Sequence, residues 1–429
     1  MHGLRRGWAT MVVAVGWLGA VLAGPHWVWA EQPSKGTSAM SYGEALQELK
    51  KYTEVIELVG EGGARVAVCP QFQGRVMTST CAGPEGLSFG FINWDFLRAG
   101  KSDKHFNNYG GEDRFWLSPE GGPYSLWFAP GVPQTLEHWF TPPAFNEGAW
   151  PVVSKPEDPF CRMRVPMKLQ NTAGTRFEVE VERTVLLLKK EDLAQLFGPE
   201  AAGQIAGQGV RWVGYETMNV LTNKGEPMTQ QKGLISIWIA GMMNAGPQTV
   251  VIVPYKAGPE SVLGPVVETS YFGTIPPERI KITPQAVLFL ADANYRSKIG
   301  TSQRRARNVA GSIDFQNQVL TLVHFSMPDN PAEVPYMCNL WGEHKGSSYE
   351  GDVFNSYTDG PPGEGKPQMG KFYELESLSP AAELRPGESL RHAHRTVHIQ
   401  ADLKVLKPIA RQVLGVDLDE VRQQMFGGK

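Results

Sequence analysis

Residues 371–380 read Lys-Phe-Tyr-Glu-Leu-Glu-Ser-Leu-Ser-Pro, and residues 384–398 read Leu-Arg-Pro-Gly-Glu-Ser-Leu-Arg-His-Ala-His-Arg-Thr-Val-His. Both segments have the composition of β-strands, and a Pro-Gly turn lies between them. Because side chains alternate along a strand, the first segment places Glu374 and Glu376 on the same face. The two carboxylates therefore belong either to an ordinary charged surface or to a cleft in which they transfer protons.

Strand patterns continue through most of the chain before this stretch. Phe177, Val179 and Val181 alternate with glutamates, as in a strand with one buried and one solvated face. So many strands need two packed sheets and not one open sheet. Besides residues 176–189, strands are predicted at 54–59, 64–69, 75–80, 87–92, 161–170, 210–222, 234–240, 249–255, 286–290, 311–315 and 319–325.

Helical patterns are few and short. The segment Ser41-Tyr-Gly-Glu44 has the spacing of a capping box, which predicts a helix start. A second helical segment covers residues 191–208, and apolar residues recur at helical spacing after residue 401. We therefore predict an all-β fold, a large two-sheet β-sandwich with short peripheral helices.

The first 30 residues have the features of an export signal. A basic start, Met1-His-Gly-Leu-Arg-Arg6, precedes an apolar run at residues 9–23 and a small-residue end at Val28-Trp-Ala30. These are the parts of a secretory signal peptide, and the apolar run is too short for a membrane-spanning helix. No cysteine lies near the cleavage site, so a lipid anchor is not indicated. We expect a periplasmic or secreted protein.

The rest of the chain divides into three parts. We predict a linker at residues 31–40, one β-sandwich domain at 41–400, and a C-terminal helical tail at 401–429 that packs on the sandwich. Cys69 and Cys81 flank a predicted hairpin and are able to pair after export, although four cysteines in so long a chain are not a disulfide scaffold. The sequence leaves that bridge open.

The bulk composition excludes two classes of partner. A net charge of -3 offers no basic surface for nucleic acid or for an anionic membrane. The sequence has no phosphate-binding loop, no G-x-S-x-G elbow and no H-E-x-x-H pair, and no cofactor is predicted. His392, His394 and His398 share one strand face. This spacing suits zinc, but a solvated or hydrogen-bonded polar face is the favoured interpretation, so no metal is predicted.

A second group of candidate binding residues lies at residues 107–128. Glycines and prolines there bracket Glu112, Arg114 and Trp116. This density of charged and aromatic residues predicts a binding loop held by a rigid scaffold, with an aromatic surface for stacking. The alternative is a packed loop in which Arg114 only pairs with Glu112 or Asp113.

A third group lies at residues 349–362, directly before the stretch quoted first. It contains Asp352, Asn355 and Tyr357 among glycines and prolines. By itself the segment also has the composition of an ordinary turn.

Residues 373–376 and the Leu-x-Pro-Gly-Glu turn at 384–388 resemble the C-terminal end of the aldose 1-epimerase (galactose mutarotase-like) superfamily. In that superfamily, a strand ending in Leu-Glu-Thr-Gln carries the catalytic glutamate and precedes such a turn. The resemblance implies a galactose mutarotase-like supersandwich in which Glu376 is the catalytic glutamate and Glu374 is its neighbour on the same face.

The chain as a whole resembles an uncharacterised group of exported bacterial proteins with that fold. The segments that carry this resemblance are Gly110–Trp116, Glu120–Gly122, Arg296–Gly300, Gly351–Tyr357 and Phe372–Glu376. The group has no assigned chemistry, so the resemblance implies more about fold than about function.

The superfamily's reaction needs two proton-transferring groups. A base removes the proton of the anomeric hydroxyl, and an acid protonates the ring oxygen. The acid in the superfamily is usually a histidine in an Asn-His-x-Tyr-Phe-Asn segment, whereas the corresponding residues 213–223 contain no histidine. Tyr215, Glu216, His324 and Lys298 are the possible replacements, and the sequence leaves the choice open.

The resemblance implies a carbohydrate partner, either a small molecule or an oligomer, and no membrane contact after signal removal. The predicted function is an exported carbohydrate-active protein, an epimerase or mutarotase with Glu376 as general base. Non-catalytic carbohydrate binding is one alternative, and cleavage of a polysaccharide by the paired carboxylates is another. The residues expected to bind substrate are Glu112, Arg114, Trp116, Lys298, His324, Asp352, Asn355 and Tyr357.

Overall fold

The computed structural model describes residues 40–342 and 346–427 of the chain. All of them belong to one folded unit. The predicted signal peptide at residues 1–30 and nearly all of the predicted linker at 31–40 lie outside the described residues. None of the helices in the described part is long and apolar enough to cross a membrane.

Strands form the body of the fold. In chain order, the strands of the described residues are β1 (Ile56–Val59), β2 (Arg65–Cys69), β3 (Arg75–Thr80), β4 (Arg114–Ser118), β5 (Phe160–Gln170), β6 (Arg176–Leu187), β7 (Arg211–Asn223), β8 (Ser236–Asn244), β9 (Thr249–Pro254), β10 (Ile280–Ile282), β11 (Ala286–Leu290), β12 (Ser297–Ser302), β13 (Val309–Asp314), β14 (Val319–Phe325), β15 (Asp352–Thr358), β16 (Phe372–Leu378) and β17 (Ser389–Gln400). The α-helices are α1 (Tyr42–Leu49), α2 (Trp94–Ala99), α3 (Pro143–Asn146), α4 (Lys190–Phe197), α5 (Pro199–Ile205), α6 (Glu260–Leu263), α7 (Leu403–Leu414) and α8 (Leu418–Phe426).

The strands pair into three antiparallel sheets. The large sheet has nine strands in the order β10-β11-β9-β13-β14-β17-β7-β6-β5. The middle sheet has five strands in the order β12-β15-β16-β8-β4, and the small sheet has three in the order β1-β2-β3. The predicted all-β class with short peripheral helices is confirmed.

The large and middle sheets pack face to face. Phe325 of β14 stacks on Phe354 of β15 with ring centroids 5.9 Å apart. The hydroxyl groups of Tyr373 on β16 and Ser312 on β13 lie 2.7 Å apart. These contacts adjoin a continuous apolar core that also includes the buried apolar residues of β6. The interior of the sandwich is therefore the space between these two sheets.

Helices cover the outer face of the large sheet. Leu193 of α4, Ile205 of α5 and Leu406 and Ile409 of α7 are buried with strand residues such as Leu320 in a second apolar core. One side of each helix is apolar because residues three or four apart share a helix face. These helices pack on the large sheet, and the outer face of the middle sheet carries a different set of side chains.

The possible bridge between Cys69 and Cys81 is not formed. Both residues are buried, and both thiols are free. Cys69 ends β2 and Cys81 follows β3, so the two flank the predicted hairpin without pairing.

Buried histidines of β17 line the interior between the sheets. His392 Nε2 and His394 Nδ1 each lie 2.8 Å from Ser377 Oγ of β16. His398 Nδ1 lies 2.8 Å from Thr321 Oγ1 of β14. The predicted hydrogen-bonded face is confirmed, but it is buried and not solvated. Among the described residues, no group of His, Cys, Asp and Glu is placed to hold a metal ion.

Acid is expected to destabilise the protein through these histidines. Burial lowers the pKa of His392 to about 3 and the pKa of His394 to about 4, whereas an unfolded chain has histidine pKa values near 6.5. Below about pH 6.5 the unfolded chain binds protons that the folded chain does not. Each histidine then lowers the free energy of unfolding by about 1.4 kcal/mol per pH unit. His392→Gln should therefore flatten the decline of the urea midpoint between about pH 6.5 and 4.

The control for this measurement is His138→Gln, because His138 lies outside the two sheets and is not buried. It should leave the slope of stability against pH unchanged. Equal slopes for His392→Gln and the parent protein would contradict the assignment.

Candidate functional site

The outer face of the middle sheet carries an unusual set of polar side chains. In the register of the sheet, Glu376 pairs with Ala240 of β8 and with Asn355 of β15. Paired residues of neighbouring strands point to the same side of a sheet, so the side chains near Glu376 are fixed by this register. We call this side the polar face. It comprises Arg114, Trp116, Trp238, Lys298, Asn355, Tyr357, Glu374 and Glu376.

Three strands of this sheet occupy segments without a strand prediction. Residues 107–128 contain β4 and residues 349–362 contain β15, and both strands are buried along their whole length. The third is β12, which carries Lys298. Polar residues at alternate positions usually indicate a solvated loop or an exposed strand face. Here they are enclosed, and the predicted binding loops are in part strands.

Glu376 has one bound and one free carboxylate oxygen. Its Oε2 accepts hydrogen bonds from Lys298 Nζ at 2.9 Å and from Trp238 Nε1 at 2.8 Å. Burial lowers the pKa of Lys298, but Glu376 and Glu120 raise it more, so its net pKa is raised and the ammonium keeps its proton. Glu376 is fully buried, and its Oε1 accepts no hydrogen bond from a protein N–H or hydroxyl group, although the neighbouring carboxyl of Glu374 can donate to Glu376 when it is protonated. The ion pair orients the carboxylate and leaves one oxygen for a ligand.

The second carboxyl group of the polar face, Glu374, has a raised pKa. Burial raises its pKa to about 8, the charge of Glu376 adds to the effect, and Arg114 opposes it. Arg114 Nη2 donates to Glu374 Oε1, and Arg114 Nε donates to the Ala240 carbonyl at 3.2 Å. At neutral pH, Glu374 therefore holds its proton much of the time, next to the ion-paired Glu376. A raised carboxyl pKa of this kind is typical of groups that act as acids.

A hydrogen-bonded group adjoins the Lys298 edge of the polar face. Tyr271 donates its hydroxyl proton to Asp352 Oδ2, and Asn355 Nδ2 donates to the same oxygen at 2.9 Å. Lys298 Nζ lies 5.4 Å from the centre of the Tyr271 ring. A Cβ atom at Gly300 would lie 1.8 Å from Asp352 Oδ2, so glycine is required there. Burial raises the pKa of Asp352 to about 6.

Several polar atoms of the polar face are buried without a protein partner. They are the acceptors Glu376 Oε1 and Asn355 Oδ1 and the donors Arg114 Nη1 and Trp116 Nε1. A buried polar atom without a hydrogen bond costs about 1–3 kcal/mol, so proteins keep few of them. Two donors and two acceptors on one sheet face match what a polyhydroxylated ligand offers.

A cleft of about 330 Å³ adjoins Tyr271, whose hydroxyl accepts a hydrogen bond from Asn355 of the polar face at 3.2 Å. Glu120 and Tyr271 line its wall, and Leu136 and Phe272 stand at its rim, with 58% and 38% of their surface exposed. Burial raises the pKa of Glu120, and its charge acts on both Lys298 and Glu376. Trp139 Nε1 donates to Glu120 Oε1 at 3.0 Å. This cleft therefore lies beside the buried charged groups.

The structure brings together most of the residues predicted for the site. Two predicted binding residues lie elsewhere. Glu112 points between the sheets, where its carboxylate is 2.8 Å from His398 Nε2. His324 lies on the other side of the large sheet, 3.3 Å from Arg395 Nη1. Those brought together are Arg114, Trp116, Lys298, Asp352, Asn355, Tyr357, Glu374 and Glu376.

Of the four suggested acids, only Lys298 lies on the polar face. Tyr215 is buried between the sheets near Glu112, and Glu216 pairs with Arg395. Trp116 also differs from expectation, because its ring packs edge-on against Trp127 and Trp238 and presents no open stacking surface.

The sequence analysis missed three residues of the site, namely Trp238, Tyr271 and Glu120. Glu120 lies in the Glu120–Gly122 segment that was already noted, and Trp238 lies in a predicted strand. Tyr271 is in an irregular segment that gave no signal.

Comparison with protein families places the chain in a family. A model described as "Family of unknown function (DUF6786)" matches residues 40–425, and the chain belongs to this family. A search among curated proteins found no match.

Solved structures with a similar fold were also found. A putative aldose 1-epimerase from Escherichia coli K12 has 12% identity and a TM-score of 0.44, covering 81% of this chain and 99% of that protein. The Slr1438 protein from Synechocystis sp. PCC 6803 has 12% identity and a TM-score of 0.47, with coverage of 82% and 96%. The resemblance seen in the sequence is thus found again among structures. At this level of similarity it carries no argument about the site.

Proposed function

We propose that this protein, exported through its N-terminal signal, binds a sugar or sugar derivative on the polar face and interconverts its anomers. Glu376 acts as the general base and Glu374 as the general acid. The observation that supports this most is the placement of two carboxyl groups on one buried strand face, one paired with Lys298 and the other with Arg114. The unpartnered atoms Arg114 Nη1 and Asn355 Oδ1 beside them are suited to sugar hydroxyls.

The reaction needs only proton transfers from this pair. Glu376 Oε1 takes the proton of the anomeric hydroxyl while Glu374 gives its proton to the ring oxygen. The bond between the anomeric carbon and the ring oxygen breaks, and the anomeric carbon becomes an aldehyde carbonyl. After rotation about the next carbon–carbon bond, the ring recloses on the other face and both protons return. The net change is inversion at one carbon, with the enzyme regenerated.

Adjacent placement of acid and base suits this chemistry. The anomeric oxygen and the ring oxygen are bonded to the same carbon, so the two protons move at neighbouring atoms. Glu374 and Glu376 are two positions apart on β16 and point to the same side. Glu374 thereby takes the role that a histidine has in the aldose 1-epimerase superfamily.

The remaining residues hold the pair in position. Lys298 and Trp238 bind Glu376 Oε2, so that Oε1 is directed to the ligand. Arg114 binds Glu374 Oε1, which leaves Oε2 to carry the proton. Preorganised groups of this kind cost little reorganisation during the reaction.

The proposal is tested by following anomer interconversion with NMR across aldoses and uronic acids. We expect faster interconversion of at least one sugar than in buffer alone. Sugar binding without acceleration would instead support non-catalytic carbohydrate binding. That second function is favoured by the fact that both carboxyl groups already bond to cations, Lys298 and Arg114. Folded protein that neither binds nor converts any sugar contradicts both.

Activity is expected to fall at alkaline pH. The reaction requires protonated Glu374, whose pKa is about 8. As the pH rises through about 8, this proton is lost, and kcat/KM should then decline by about tenfold per pH unit. The measurement is kcat/KM between about pH 6 and 10, after subtraction of the spontaneous rate at each pH. Glu374→Gln should lower kcat/KM and remove the alkaline decline, and an unchanged profile in that variant would exclude Glu374 as the acid.

A further inference from the structure

A second cleft, of about 350 Å³, opens on the other side of Tyr271. Tyr271 and Leu340 line both this cleft and the 330 Å³ cleft described above. Asp352 also lines the second cleft, and its Oδ2 is bonded to Asn355 of the polar face. The two clefts are therefore similar in size, share a wall and both border the polar face.

The second cleft contains a fixed hydrogen-bond donor that the protein does not use. Asn339 is only 2% exposed, and its Oδ1 accepts from the backbone N–H of Glu120 at 2.8 Å and from Ser118 Oγ at 2.6 Å. A backbone N–H only donates, so this contact settles which end of the amide is the oxygen. Asn339 Nδ2 is buried and has no partner.

The same cleft contains a matching acceptor. Gln303 is 5% exposed, and its Nε2 donates to the Ala332 carbonyl at 3.4 Å. A carbonyl only accepts, so the orientation of this amide is settled as well. Gln303 Oε1 is buried without a partner. One donor and one acceptor, each on an amide held by its other atom, are suited to hydroxyl groups of a ligand.

The carboxylates of this cleft are already engaged. Asp352 accepts from Tyr271 and Asn355, Glu350 pairs with Arg304 at 2.8 Å, and Glu268 accepts from the Ser270 N–H at 2.7 Å. The cleft therefore does not have the free acidic ligands that a cation would need. Leu263 and Pro265 add an apolar wall, against which the C–H face of a sugar ring can lie.

We infer that this cleft is a second subsite, which takes a sugar unit linked to the one bound on the polar face. The ligand is then an oligosaccharide of at least two units. This inference rests on the proposed sugar binding at Glu376. It adds a size requirement that the polar face alone does not impose.

The test compares monosaccharides with disaccharides that share the same reducing-end sugar, such as glucose with maltose and cellobiose, galactose with lactose, and galacturonate with digalacturonate. Affinity is measured by calorimetry, and KM and kcat are measured where there is turnover. We expect at least one disaccharide to bind more tightly than its monosaccharide. Gln303→Met and Asn339→Asp should each weaken the binding of that disaccharide about tenfold, as measured by its affinity or its KM. The kcat should stay the same.

Thermal unfolding of both variants checks that the local fold is kept. Aspartate retains an oxygen that accepts from the Glu120 N–H, but it replaces the donor with a second oxygen and adds a negative charge, whereas methionine is neutral and has nearly the length of glutamine. The matched control is Gln208→Met, an exposed residue remote from both clefts, which should change neither ligand's affinity. Monosaccharide affinity should be unchanged in Gln303→Met and Asn339→Asp.

The negative results of this test distinguish failure of the second subsite from failure of the proposed function. If monosaccharides bind and no disaccharide binds better, the second subsite is excluded while the proposed function stands. If the variants weaken both ligands equally, the residues only support the fold, and the subsite is excluded again. If no sugar of either size binds, both proposals are overturned.

Discussion

Replacement of Glu376 by glutamine is expected to lower kcat/KM for anomer interconversion by a factor of about 10² to 10⁴, which is the usual contribution of a general base. Glutamine keeps the shape of the side chain and an oxygen for Trp238 and Lys298, but it does not take up the anomeric proton. Sugar affinity, measured by calorimetry, should change much less than kcat. This combination separates a catalytic role from a binding role.

Stability needs its own control in this experiment, because Glu376→Gln leaves the buried ammonium of Lys298 without its carboxylate partner. The double variant Glu376→Gln/Lys298→Met removes both charges and should recover part of any loss in thermal stability while remaining inactive. A Glu376→Gln protein that is folded and converts anomers at the parent rate would rule out Glu376 as the base.

The largest effect on stability is expected for Asp113→Asn. Asp113 and Arg183 form an ion pair with both side chains fully buried between the sheets. Thr217 Oγ1 donates to Asp113 Oδ2 at 3.0 Å, and Arg183 Nη1 donates to Asn219 Oδ1 at 2.8 Å. Removing only the negative charge leaves a buried cation uncompensated. This typically lowers the free energy of unfolding by about 3–5 kcal/mol.

Urea unfolding provides the measurement, and two variants provide the controls. Glu182→Gln breaks the partly exposed pairs with Arg164 and Arg162 on β5 and should cost at most about 1 kcal/mol. Asp113→Asn/Arg183→Met removes both buried charges and should be more stable than Asp113→Asn alone. If Asp113→Asn and Glu182→Gln have equal effects, the buried pair is not a major contributor to stability.

This interior pair also connects the core to the site. Asp113 directly precedes Arg114, and successive side chains of an extended segment point in opposite directions. Asp113 is thereby anchored between the sheets while Arg114 lies on the polar face beside Glu374. Loss of the interior anchor should therefore also disturb the acid of the proposed pair.

Sequence patterns correctly predicted the helices and strands whose signal lies within a few consecutive residues. The capping box at Ser41 and Glu44 is present in α1, and the predicted bounds of β3, β11 and β14 agree with the structure. Residues 87–92 were predicted as a strand, but they form only isolated bridges. Gly90 lies so close to the Met77 carbonyl that a Cβ atom would be 2.2 Å away. A close backbone approach of this kind has no signature in the local pattern.

The sequence alone determined that Glu374 and Glu376 share one face of a strand, because side-chain direction along β16 follows from alternation within a few residues. Only the tertiary structure decided that this face is enclosed and which groups hold each carboxylate. Lys298 is 78 residues from Glu376 in sequence, and Arg114 is 260 residues from Glu374. Burial and pairing depend on how distant strands align in the sheet, and they raise the pKa of Glu374, which alternation merely placed beside Glu376.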